Sequence, residues 1–260
     1  MLTLTQNLDK QAHAAVHKVS GARRRSAYLV AAMLAGAFIG LADVFMMTAA
    51  GPLSLAGSPW SSLISGGVFG IGLILVMFAG GELATSAMMI LPVGLARRTV
   101  GAGEAGMTFL LMVLGNLAGS VALAGLVWAS GILSPSSAGG QFLAHLVEHK
   151  AAKTTGELFF CGVLCNVLVC LAIWTVGRVR SEMAAALVMA WCMAAFVCSG
   201  FEHVVANMTT LSLGIFHGVA GADAGEAARN LVTVGCGNIV GGAIFVGAAY
   251  LCAARTESES

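Results

Sequence analysis

Charged residues are scarce in this chain: Asp, Glu, Lys and Arg make up 10% of its 260 residues and hydrophobic residues 58%, where a soluble domain carries about 25% charged residues. That shortage excludes a water-soluble globular fold, whose core has no room for such an apolar excess. Clustered basic charge is missing as well. The 13 Lys and Arg are spread over short loops and the net charge is +1, which excludes a nucleic-acid surface. Neither HExxH nor Gly-x-Ser-x-Gly occurs, two signatures expected of an intramembrane enzyme. The seven cysteines lie in apolar stretches with no CxxC pair and no histidine cluster beside them. They are expected as buried packing residues, with no metal site and no cofactor. The short apolar core and cleavage site of a signal peptide are also absent from the start of the chain.

Long apolar runs are what the chain has instead. A membrane-crossing helix needs about 20 mainly apolar residues, and six stretches qualify: 28–49, 60–95 with an interruption near Gly80, 107–129, 158–176, 183–216 with an interruption near Gly200, and 230–253. The expected fold is an all-α integral membrane protein of six transmembrane helices, the second and fifth interrupted. Residues 27–254 form its membrane domain. Residues 1–26, amphipathic over 6–25 and ending in Arg23-Arg24-Arg25, are expected as a helix on the cytoplasmic membrane surface, and residues 255–260 as a cytoplasmic tail. With the N-terminus inside, Lys10, Lys18, Arg23, Arg24, Arg25, Arg97, Arg98, Arg178, Arg180 and Arg255 face the cytoplasm. Lys150, Lys153 and Arg229 face outward. This bias places both termini in the cytoplasm.

The chain also repeats itself once. Gly36 and Gly40 align with Gly162 and Asn166, Gly80-Gly81-Glu82-Leu83 with Gly200-Phe201-Glu202-His203, and Gly115-Asn116 with Gly237-Asn238. Three spans per copy is an odd number, so the second copy enters the membrane upside down and the repeat is an inverted 3+3. Transporters and channels built this way carry their site at the repeat interface, between helices that break there. Both breaks here hold a Gly-x-Glu, and glycine frees the backbone at a depth where irregular chain is tolerated only beside protein or water.

The copies differ where the first has Leu83 and the second His203. Ionisable groups within a membrane tend to face a cavity, which marks Glu202 and His203, with Asn207 one turn on, as lining a path. An imidazole ordinarily titrates near pH 6.5 and donates a hydrogen bond when neutral. Broken helices aim positive N-terminal ends at the site. A small anion therefore suits this path better than a cation. The segment 145–153 adds lysines that draw anions to the outer mouth.

The run Gly200-Phe201-Glu202-His203 with Ala206-Asn207-Met208 resembles the fifth-helix motif of the formate/nitrite transporter family. Cys165-Asn166 with 168–174 resembles its fourth-helix signature, and Gly115-Asn116 and Gly237-Asn238 those of the third and sixth. The likeness runs from about residue 31 to 250 and is closest to the family's bacterial nitrite channels. It implies an aquaporin-like protomer of a homopentamer in the bacterial inner membrane, with one pore per protomer. It also implies roles: His203 as the central pore histidine, Glu202 its supporting acid, Asn207 a polar partner, and Thr85 the threonine facing that histidine. Leu73 and Phe196 would form the inner apolar constriction and Phe69 the outer, with Asn166 buried near the pore. The family's outer lysine falls on Lys150 by spacing and on Lys153 by motif, and both are retained. The expected cargo is nitrite, with formate or hydrosulfide as the alternative, carried passively or with a proton. A neutral-solute channel of the aquaglyceroporin type fits less well, since paired Asn-Pro-Ala motifs are missing.

Overall fold

A computed structural model describes residues 1–255, and these are helical with no strand among them. The tail expected at 255–260 lies, but for Arg255, outside the described residues. Counting unbroken runs as one helix, the order is α1 Leu4–Ala22, α2 Arg25–Leu55, α3 Ser61–Gly80, α4 Ala84–Ala96, α5 Ala102–Ser130, α6 Ala138–Ala152, α7 Thr155–Arg178, α8 Glu182–Cys198, α9 Val204–His217 and α10 Ala224–Ala253. By length and composition α2, α3, α5, α7 and α10 can each cross a membrane, whereas α4, α8 and α9 are shorter apolar helices.

The expected interruptions are present. Between α3 and α4 the chain turns through Gly80 at φ +88° and runs extended through Gly81 and Leu83; between α8 and α9 it turns through Gly200 at φ +69° and reaches an extended His203. Only glycine takes these left-handed angles without steric cost. Each break is bracketed by one asparagine. Asn116 Oδ1 accepts from Ala84 N (2.9 Å), and its Nδ2 donates to the Glu82 and Ala32 carbonyls (both 2.8 Å). Asn238 does the same for Val204 N (2.9 Å), Glu202 O (3.0 Å) and Gly162 O (2.7 Å). The break itself is tied to the neighbouring helix by Glu82 N on Ala31 O and Glu202 N on Cys161 O.

These equivalent bonds pair Ala31 with Cys161 and Ala32 with Gly162. The counterpart of Gly162 is therefore Ala32, one helical turn before the Gly36 that sequence comparison selects, and Gly36 corresponds to Asn166. Glycine matching misled because Gly36 is kept for a different contact, with the Asn116 backbone.

The most extensive pairings are α2 with α5 and α7 with α10, and both rest on backbone touching backbone. Gly119 lies against the Met33 carbonyl, and Gly241 lies in the same way against the Val163 carbonyl. Two cysteines depart from the packing role expected of all seven: Cys165 and Cys170 are buried, but Cys236 and Cys252 are exposed on the chain, where the apolar surface of α10 includes Val232, Ile244 and Phe245.

The N-terminal helix docks one face on the body. Asn7 and Gln11 are buried over Gly177, Asn7 Nδ2 donates to Trp174 O (2.9 Å), Lys10 Nζ to Gly177 O (2.9 Å), and Arg97 pairs with Asp9.

A methyl group at Gly119 or Gly241 collides with a backbone oxygen, and such overpacking costs about 1–3 kcal/mol. Gly119→Ala and Gly241→Ala are each expected to lower the thermal midpoint of the purified protein, while Gly103→Ala, whose methyl meets nothing within 4 Å, leaves it in place. Equal midpoints for all three would contradict this packing.

Candidate functional site

His203 is the N-cap of α9, buried to 3% exposure. Its Nδ1 accepts the Ala206 backbone N–H at 3.1 Å, and its Nε2 lies 3.1 Å from Thr85 Oγ1. A nitrogen that accepts carries no hydrogen, so the neutral ring holds its one hydrogen on Nε2 and directs it at Thr85. The Thr85 turn is fastened from behind by Asn166, whose Nδ2 donates to Thr85 O (3.2 Å) and to Asn238 O (2.7 Å). Because Thr85 lies in the first turn of α4 and His203 caps α9, two helix N-termini meet at this contact. Leu83 occupies the N-cap of α4, is buried, and makes no capping bond.

Beside His203 lies Glu202, its side chain 2% exposed. Oε2 accepts from Lys150 Nζ (2.6 Å) and Asn207 Nδ2 (2.8 Å), and Oε1 from Lys153 Nζ (2.7 Å). Lys150 also reaches Asn207 Oδ1 at 2.8 Å. Both candidate lysines thus arrive at one carboxylate. Lys150 comes from the last turn of α6. Lys153 comes from the extended residue that closes α6, held where Thr154 and Glu157 form the capping box of α7 and where Arg229 clasps the Lys153 and Ala151 carbonyls.

A cavity of about 100 Å³ opens from these lysines and is lined further by Asp43, His149, Phe69, Phe196, His203 and Thr210. Burial, and after it the positive charge of Lys153, hold the His149 imidazole below its ordinary value. Phe69 and Phe196 meet edge to face with centroids 5.4 Å apart, and Phe196 stacks on His203 at 5.8 Å. Phe196, expected with Leu73 at the inner constriction, lies beside Phe69 in the lining of the lysine-side cavity, where α8 packs along α3. Leu73 is buried one turn further along α3 and is not among the lining residues.

The first half carries a reduced version of the same network. Glu82 Oε2 accepts from Lys18 Nζ (2.6 Å) of α1 and from the Tyr28 hydroxyl (3.2 Å). Ala87 stands where the second half has Asn207. α1 thus supplies a lysine to Glu82, Lys18, as α6 supplies Lys150 to Glu202.

Four residues of these networks and of the cavity lining are not marked out by the sequence motifs. Asn230 accepts from Asn207 Nδ2 (2.7 Å) and is fully buried; its signal was an amide in an apolar helix. Asp43, a lone acid inside the first apolar run, carried a plainer signal. Lys18 was counted only toward topology. Tyr28 gave no signal.

The formate/nitrite transporter family model matches residues 5–252. The chain is 40% identical over 229 residues to the nitrite transporter NirC of Salmonella typhimurium, covering 86% of this chain and 81% of that protein. It is 32% identical over 267 residues to the formate channel FocA of Haemophilus influenzae, covering 95% and 92%. Among solved structures it is similar to an FNT family ion channel, with a TM-score of 0.89 and 35% identity over 96% of this chain and 99% of that one. It is also similar to a pentameric formate channel with formate bound, with a TM-score of 0.78 and 30% identity over 90% and 99%.

Removing one partner of a buried ion pair costs about 3–5 kcal/mol, and of an exposed pair about 1 or less. The Glu202 side chain is 2% exposed with two lysines on it, and the Glu82 side chain 25% with one. Glu202→Gln is expected to lower the thermal midpoint by clearly more than Glu82→Gln; the reverse order would contradict the network.

Proposed function

Since the chain belongs to the formate/nitrite transporter family, we propose that it conducts small monovalent anions, nitrite foremost, across a bacterial cytoplasmic membrane through one path in each protomer of a homopentamer. Its relatives are named as transporters and channels, and no catalytic step is assigned to it. In this reading α3 with α4 and α8 with α9 form the second and fifth of six crossings, and the 3+3 repeat is inverted. Both termini are then cytoplasmic. One solved relative is a pentameric formate channel, which supports the pentamer.

The observation that carries the proposal is the cavity at Lys150, Lys153 and His203. Two ammonium groups against one Glu202 carboxylate leave the mouth positive, which concentrates anions by electrostatic steering. The Phe69–Phe196 pair then strips water, a step that is costly for a bare charge. The proposed compensation is the Nε2–H of His203 with the Thr85 hydroxyl, reinforced by the N-termini of α4 and α9. A cavity of about 100 Å³ suits an ion of a few atoms. Nitrite is placed before formate because identity is 40% to the nitrite transporter and 32% to the formate channel.

Lys18 and Glu82 would serve the cytoplasmic mouth in the manner of Lys150 and Glu202. The helix α1, at the cytoplasmic membrane surface in this reading, then governs access from inside.

Proteoliposomes containing only this protein are expected to take up nitrite faster than formate. His203→Ala lowers that flux by about tenfold or more, which is the loss of one well-placed donor, and a chain lacking residues 1–20 shows altered pH dependence. Flux unchanged by His203→Ala would refute the role given to the histidine. Faster formate uptake would reverse the order of substrates.

A further inference from the structure

The buried acid Asp43 has no part in the networks above. It sits in the middle of α2, 2% exposed, and lines the cavity with Lys150 and Lys153. Its one hydrogen-bond partner among the described residues is the Thr210 hydroxyl, at a long 3.4 Å on Oδ2. No Lys, Arg or His nitrogen of those residues lies within 4.0 Å of it. Glu202, by contrast, has two ammonium groups and an amide on its two oxygens. The negative charge of Glu202 is matched and that of Asp43 is not, and an unmatched buried charge is expensive.

His203 cannot easily supply a proton site in its place. Its Nδ1 lone pair is spent on Ala206 N and its Nε2 already holds the hydrogen directed at Thr85. A second proton would have to break the cap of α9. Asp43 Oδ1 has an unused lone pair in the same cavity.

We propose that Asp43 is the proton-binding group of this path, and that a proton on its carboxyl and an anion beside the two lysines occupy the cavity together; the inference rests on the transport reading above. The charges account for the coupling. With Asp43 ionised, its charge and that of Glu202 cancel the two lysines, and nothing is left to hold an anion. With a proton on Asp43 the lining carries one net positive charge, and an anion restores balance. Proton and anion therefore favour each other's binding by the same factor. From this arrangement the carboxyl O–H can break as an O–H forms on an oxygen of the anion, leaving Asp43 as carboxylate and the cargo as its neutral conjugate acid. That acid meets Phe69 and Phe196 without a charge to desolvate.

The other titratable groups facing Asp43 are few. His149 and Lys150 come from α6, Lys153 from the residue after it, and Glu202 and His203 from the second break; the lining residues contributed by α3, α8 and α9 are uncharged.

The test is initial nitrite and formate uptake by proteoliposomes from pH 8 to pH 5.5, with protein-free liposomes as baseline and a trapped pH dye reporting protons. One coupled proton gives up to about tenfold per pH unit in uptake at low anion concentration. Asp43→Asn is expected to flatten that rise to below about twofold, and Asp43→Glu, which keeps a carboxyl, to retain most of it. An Asp43→Asn profile that superimposes on wild type overturns the proposal. So do equal flattening in both variants, which is the mark of a structural role, and a slope that vanishes in His149→Gln while surviving in Asp43→Asn. If wild type carries neither anion above baseline at any pH, the transport reading itself fails, and the proposal with it.

Discussion

A helix that breaks inside a membrane exposes peptide groups to an environment with no water to bond them, at a cost of several kcal/mol per group. Everything at this site depends on how that cost is met. Asn116 and Asn238 each brace one break, offering an oxygen to the first free N–H of the new helix and two hydrogens, one to a carbonyl of the break and one to a carbonyl of the neighbouring helix. Because the breaks are held in this way, α4 and α9 can start deep in the protein with their N-terminal ends facing each other. Thr85 and His203 then meet across the interface of the two halves.

From that constraint the division of labour between the halves follows. The backbone scaffolding is duplicated almost bond for bond, whereas the side chains that it presents are not. Leu83 and Ala87 stand where the second half has His203 and Asn207, and Glu82 has one lysine where Glu202 has two. A duplicated frame with unequal contents suits a path that must select at one point. In the proposed function that point is the second break, where the imidazole Nε2–H faces Thr85.

Much of this was legible in the sequence, for identifiable reasons. The breaks showed as Gly-x-Glu within apolar runs, and the asparagine brackets as Gly-Asn pairs at matching distances. Glu202 and His203 stood out because ionisable side chains are rare in such runs. What remained hidden depended on three-dimensional convergence. Neither spacing nor motif could choose between Lys150 and Lys153, because a helix end and a capping box bring both to one carboxylate. The pairing of Phe69 with Phe196 depends on the packing of α3 against α8, which no local pattern reports. The shared role of α1 and α6, each supplying a lysine to the glutamate of one break, was obscured because only that lysine marks it.

Central to the proposed function is a neutral His203 whose hydrogen sits on Nε2, directed at Thr85 and offered to the passing cargo. Solid-state nitrogen NMR of histidine-labelled protein in liposomes at neutral pH observes this directly, with His203→Ala identifying the signal. A protonated Nε2 beside a bare Nδ1, shifting as nitrite is added, is the expected result. A hydrogen on Nδ1, or a signal indifferent to nitrite, would contradict it.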